Sequence, residues 1–152
     1  MRVTGEGYPS SRIIGDVTAV RINRILILLG FLGLFVAGIL SLEKALDIQI
    51  PCGTGGGCAK VANDPSGYWF GVPVAYYGAI GYLVLAALAT VRGLNGIRAT
   101  RPLVTFGLLV SGIGAGASLY LQYVALGVLK ATCVWCLASA AIMLTTFVLH
   151  VL

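Results

Sequence analysis

The chain has 152 residues, is 59% hydrophobic, 10% charged and carries a net charge of +5. Soluble domains carry about 25% charged residues, so the composition excludes an ordinary soluble protein and points to a membrane. The basic residues flank apolar runs, which excludes a nucleic-acid-binding surface.

Residues 1–20 are polar, with Gly, Pro and Ser, and read as a cytoplasmic tail with little fixed structure. The remainder, 21–152, reads as one membrane domain. Four runs approach the roughly 20 apolar residues that a spanning helix needs: about Ile25–Leu42, Pro73–Val91, Pro102–Leu129 and Val134–Leu152. Arg21 and Arg24 before the first run resemble a signal peptide. The run is longer than a usual leader core, and no small-x-small site follows before Leu42, so it is expected to stay as a helix. No Asp, Glu, Lys or Arg falls inside the four runs, which argues against a pump or an ion-coupled transporter.

Arg2, Arg12, Arg21, Arg24, Arg92, Arg98 and Arg101 fall on one side of these spans, and Lys44, Lys60 and Lys130 on the other. The bias places both termini in the cytoplasm and the 43–72 loop outside, in a plasma or inner membrane. That loop is rich in glycine and proline, with a short helix expected at about Cys58–Asn63. Short connections elsewhere make neighbouring helices antiparallel. The fold class is an all-α, integral-membrane bundle of four transmembrane helices, with a short helix between the first two. Gly112 and Gly116, with Gly30, Gly33 and Gly38, suit close helix packing, and the G-x-x-x-G face also suits oligomerisation.

The topology gathers all four cysteines on one face. Cys52 and Cys58 enclose five residues, four of them glycine; Cys133 and Cys136 form a C-x-x-C about 80 residues later. Positions i and i+3 share a helix face, a helix N-terminus favours a thiolate, Lys130 adds positive charge, and Thr132 is the expected N-cap. Three chemistries compete. Two bridges could staple the loops. Four thiolates could hold zinc, but C-x5-C is wide for that and an oxidising face opposes free thiolates; no metal is expected. A thiol–disulfide relay fits best, with Gly53–Gly57 as a movable arm passing electrons from the first pair to the second. No nucleotide-binding glycine motif is present, so a lipid-soluble quinone is the natural final acceptor. Trp69, Tyr76, Tyr77, Tyr82, Tyr120, Tyr123 and Trp135 fall near the outer half, mostly as an interfacial belt. His150, near the inner end of the last helix, is too far from the cysteines for catalysis.

The Cys-x5-Cys loop after the first span, the following Phe70-Gly71-Val72-Pro73 and the Cys133-x-x-Cys136 that opens the fourth span resemble the vitamin K epoxide reductase family, in its bacterial and plant-type branch, over about Ile25 to Leu149. The resemblance implies a four-helix bundle around a quinone of the menaquinone, ubiquinone or phylloquinone type. It implies that Cys52 exchanges with a thioredoxin-like (DsbA-like) protein, that Cys58 relays to Cys133, and that Cys136 faces the quinone. Phe70, Tyr82, Leu121, Leu129 and Trp135 are the candidate quinone contacts. Such a chain supports disulfide bond formation. It ends at Leu152, so the partner is expected to be a separate protein.

Three positions depart from the family pattern. Asp64 stands where a serine is common, and Val74 and Ala140 stand where vertebrate members carry asparagine and tyrosine. An ordinary quinone is therefore expected as acceptor rather than vitamin K epoxide. The disulfide bond formation protein B type has its C-x-x-C in the first outer loop, the reverse of the order here. A non-enzymatic, disulfide-stapled membrane protein is the other alternative.

Overall fold

The computed structural model describes residues 10–48, 51–52, 57–95 and 101–152. Long apolar runs in lipid must satisfy every backbone polar group internally, and helices do so. Among the described residues four helices are long and apolar enough to cross a membrane: α1 (Ser10–Leu46), α3 (Val74–Asn95), α4 (Arg101–Tyr123) and α5 (Val134–Val151). The short α2 (Gly57–Ala62) and a 3-10 turn at Pro65–Gly67 lie between α1 and α3.

Small residues set the packing. Gly30 of α1 meets Ala86 of α3, and a Cβ on Gly33 would overlap the Tyr82 ring. On α4, Gly107 faces His150, Gly112 faces Phe147 and Gly114 faces Met143, all of α5. Glycine thus lets backbones approach where packing, rather than water, drives association. A Cβ on Gly116, the other half of the expected G-x-x-x-G, would meet nothing from another helix within 4 Å. The core is Ala37, Tyr82, Leu85, Ala115 and Met143. Leu28, Phe35, Ile80 and Leu109 point outward, as lipid-facing side chains do. Ser41, Thr90 and Thr146 return their hydroxyls to the carbonyls four residues earlier, so no partner is needed from lipid.

Both ends of α1 differ from the sequence reading. The helix α1 begins at Ser10, so the second half of the expected tail is helical; no proline interrupts residues 10–24. It also runs past Leu42 to Leu46 and carries Glu43 and Lys44 into the spanning helix. Asp47 then takes a left-handed φ of 51° and Ile48 N–H donates to Glu43 O at 3.2 Å, which closes the helix. At the far end, α4 passes into a single π-helical turn at Val124–Val128, where Leu129 N–H donates to Val124 O at 2.9 Å.

A two-stranded hairpin, β1 (Tyr68–Trp69) and β2 (Val72–Pro73), precedes α3. Its turn residues Phe70 and Gly71 have φ of 51° and 81°. Both being positive makes the two-residue turn that suits strand twist. Phe70 holds this conformation against the steric preference of a bulky residue.

Candidate functional site

The two cysteine pairs meet at one end of the bundle. Cys52 and Cys58 are disulfide-bonded with Cα atoms 5.8 Å apart, and Cys133 and Cys136 with Cα atoms 5.2 Å apart. Both separations suit a bridge. The Sγ atoms of Cys52, Cys58 and Cys133 all lie within 4.8 Å of one another. Cys58 is 2% exposed and Cys133 3% exposed, while Cys52 is half-buried. All three sulfurs are engaged in disulfides here, not as free thiolates for a metal.

Local sequence explains this convergence. Gly57 lies so close to the Thr132 carbonyl oxygen that any Cβ would collide with it. Lys60 Nζ donates to Leu129 O at 2.8 Å. Trp135 Nε1 donates to Pro51 O at 3.2 Å. The segments flanking each cysteine pair are thus pinned to those flanking the other. Residues Gly53–Gly56, most of the expected arm, lie outside the described residues.

The C-x-x-C opens α5 in a way that corrects one expectation. Thr132 is not the N-cap. Cys133 fills that position with extended φ and ψ of −106° and 108°, and its Sγ accepts from Cys136 N–H at 3.2 Å. The physical reason is that Thr132 belongs to the contact with Gly57, so the chain turns one residue later. The result favours chemistry, because the same N–H would stabilise a Cys133 thiolate.

Beneath Cys136 lies a cavity of about 390 Å³ between the helices. Its walls are mainly apolar, and Leu121, Ala140 and Met143 are among them. Tyr82, 1% exposed, lines it and donates its hydroxyl proton to Ser139 O at 2.7 Å. An apolar cavity with a few polar groups fits a planar, weakly polar ring such as a quinone. Of the five candidate quinone contacts, Tyr82 and Leu121 line this cavity, while Phe70, Leu129 and Trp135 do not. Phe70 is fully exposed because it occupies the hairpin tip, and its neighbours Trp69 and Pro73 take the wall instead. Leu129 follows the π-helical turn, where its carbonyl accepts from Lys60. Trp135 faces Pro51.

Val74 and Ala140, at the two positions departing from vertebrate members, both line the cavity. Neither offers a hydrogen bond. Sequence reasoning missed the polar groups that are there: Glu43, Ser118, Gln122 and Ser139. Glu43 looked like a flank, and Gln122 carried no motif. Asp64 does not reach the cavity. Its carboxylate accepts from Ser66 N–H at 2.9 Å and from the Ser66 hydroxyl, capping the 3-10 turn. These two bonds hold its carboxyl below the usual carboxylate range.

His150 lies at the opposite end of α5 from Cys136, with Nδ1 2.9 Å from Thr146 O.

Four spanning helices, two disulfides in contact at one end and an apolar cavity under the second define a membrane protein built for thiol–disulfide chemistry. The family model of the vitamin K epoxide reductase family matches residues 24–151. The chain belongs to that family and is a membrane thiol–disulfide oxidoreductase. The family is quinone-linked in general and works with thioredoxin-like partners. No curated protein matches the chain.

Proposed function

We propose that this protein oxidises a separate thioredoxin-like protein and passes the electrons through its two cysteine pairs to a quinone, in support of disulfide bond formation. The observation that carries this reading is the cluster of Cys52, Cys58 and Cys133 sulfurs within 4.8 Å, with Cys136 on the cavity wall.

The relay balances as two exchanges and one transfer. A partner thiolate attacks Cys52, the more exposed sulfur of its pair, and Cys58 leaves as thiolate. The second partner thiol then resolves the mixed disulfide, so the partner is oxidised and Cys52 and Cys58 are reduced. Cys58 attacks Cys133, releasing Cys136 as thiolate at the N-terminus of α5, where the helix dipole stabilises it. Cys52 resolves the Cys58–Cys133 bond, leaving Cys133 and Cys136 reduced. A bound quinone supplies a two-electron, two-proton sink for that pair. The burial of Cys58 and Cys133 supports their role in the middle of the chain, since water and stray thiols are kept from the internal exchange.

In the topology that belongs to this reading, both termini are cytoplasmic and the cysteines face the outer aqueous compartment, consistent with the arginine and lysine bias. Thiol labelling of intact cells after mild reduction tests it, with modification of Cys52 before permeabilisation expected.

The test of function is quinone reduction by purified protein with a reduced thioredoxin-like donor. Cys136→Ala should abolish quinone reduction while leaving donor exchange at Cys52. Unchanged quinone reduction in Cys136→Ala overturns the relay, and loss of stability without any redox change in wild type would return the cysteines to a stapling role.

A further inference from the structure

We infer that Glu43 is the proton carrier of the cavity, moving protons between the water-exposed rim and the oxygens of the electron acceptor. The inference rests on the quinone reading above and names a further catalytic residue for it. Glu43 is 7% exposed, lies on the last turns of α1 and lines the same cavity as Cys136. Among the described residues its carboxyl has no hydrogen bond and no ion pair. Its carboxyl oxygens are not sealed in the protein but reach the open space of the cavity, and ionisable groups within spanning helices mark functional cavities.

The neighbouring groups are committed elsewhere. Lys44 also lines the cavity, but its Nζ donates to Asn63 Oδ1 at 2.7 Å on the water-exposed surface and sits 5.5 Å from the Tyr68 ring centre. Tyr82 gives its hydroxyl proton to Ser139 O, and Tyr77 gives its own to Trp69 O at 3.2 Å. Lys44, Tyr77, Tyr82 and Cys136 are the other titratable side chains on the wall. Glu43 is the single carboxyl among the described lining residues.

The chemistry requires such a group. Dithiol plus quinone gives disulfide plus quinol. The Cys133–Cys136 bond forms as the two thiolates give up two electrons to the acceptor, and both thiol protons pass to water at the cysteine end. Two protons must enter an apolar cavity to match. Glu43 delivers them one at a time and recovers each from water beside Lys44.

The test uses the full chain in lipid nanodiscs, with decylubiquinone and menadione as probes and dithiothreitol as donor. Glu43→Gln should lower quinone reduction about 100-fold, the low end of general acid catalysis. Quinone affinity, read by tryptophan fluorescence quenching, and dithiothreitol reduction of Cys133–Cys136, read by thiol trapping, should stay at wild-type values, which also shows that the variant is folded. Glu43→Asp should recover part of the rate, and formic acid should rescue Glu43→Ala. Infrared difference spectra of oxidised against reduced protein should show a carboxyl band in wild type that Glu43→Gln lacks. A wild-type rate in Glu43→Gln, a parallel loss of quinone affinity, or no carboxyl band in wild type overturns the assignment. If wild type neither binds nor reduces either probe, the quinone reading itself fails and takes the assignment with it.

Discussion

The indole N–H of Trp135 donates to the Pro51 carbonyl at 3.2 Å, across 84 residues of sequence. A residue inside one cysteine pair therefore holds the residue that precedes the other pair. The contact couples the start of α5 to the Cys52 segment without involving a sulfur. Its value should be kinetic: it keeps Cys52 and Cys58 over Cys133 between encounters.

Trp135→Phe keeps most of the ring and removes the donor. A hydrogen bond of this kind contributes about 0.5–1.5 kcal/mol, so exchange between the two pairs should slow by roughly 2- to 10-fold. Quench-flow thiol trapping after reduction of Cys52–Cys58 measures it directly. Reduction of Cys133–Cys136 by a small dithiol should not change.

Gly57→Ala should act more strongly at the same step. Its Cβ would overlap the Thr132 carbonyl, which is backbone and has little room to move. The first turn of α2 must then lift away from the start of α5 and carry Cys58 from Cys133. Loss of a near-attack geometry by about 1 Å costs on the order of 100-fold. The expected pattern is a large fall in oxidation of a protein donor, with quinone reduction by a small dithiol retained. A wild-type rate with the protein donor would show that α2 is not held by this contact during turnover.

Much of this arrangement was legible in the sequence, because hydropathy alone counts spans and the span count alone sends both cysteine pairs to one end. The four helices and the short helix before Asn63 follow from apolar runs and glycine punctuation. Other features were illegible for physical reasons. Glu43 looks like a loop residue because a carboxyl ends an apolar run; only packing shows that α1 continues past it. The hairpin at Tyr68–Pro73 hides because Phe70 at a positive φ is not a turn residue by propensity. Trp135 looked like a ring for a quinone, since an aromatic between two cysteines does not reveal which side it faces.

Asp64 gives a pH dependence outside the membrane segments. The Ser66 hydroxyl and amide stabilise its ionised form, so its folded pKa lies below the ordinary 3.8. For a depressed carboxylate the stabilisation is present above the unfolded value. It is lost as the pH falls through the folded one. The cap on the Pro65–Gly67 turn should therefore hold at neutral pH and loosen below about pH 4. Hydrogen exchange at the Ser66 amide should show protection falling across that range. Asp64→Asn retains an oxygen for the amide but has no proton to gain, so its protection should be flat with pH.

Ala140 sits one helical turn beyond Cys136 on the cavity wall and is nearly fully buried. Leucine at this position would extend three more carbons from a wall of the roughly 390 Å³ space. Inward growth takes volume from an acceptor ring, and the wall offers no polar group at this point to compensate. Overpacking typically costs about 1–3 kcal/mol, which corresponds to a 5- to 150-fold weaker dissociation constant if it falls on the bound form. Ala140→Leu should thus weaken decylubiquinone binding by about tenfold or more, read by fluorescence quenching, while thiol exchange between Cys58 and Cys133 keeps its rate. The cysteine cluster is held by Gly57 against Thr132, Lys60 on Leu129 O and Trp135 on Pro51 O, contacts in which residue 140 takes no part. A loss of exchange together with binding would mean that the cavity and the cysteine cluster do not behave as separable parts, and an unchanged affinity would place the acceptor elsewhere.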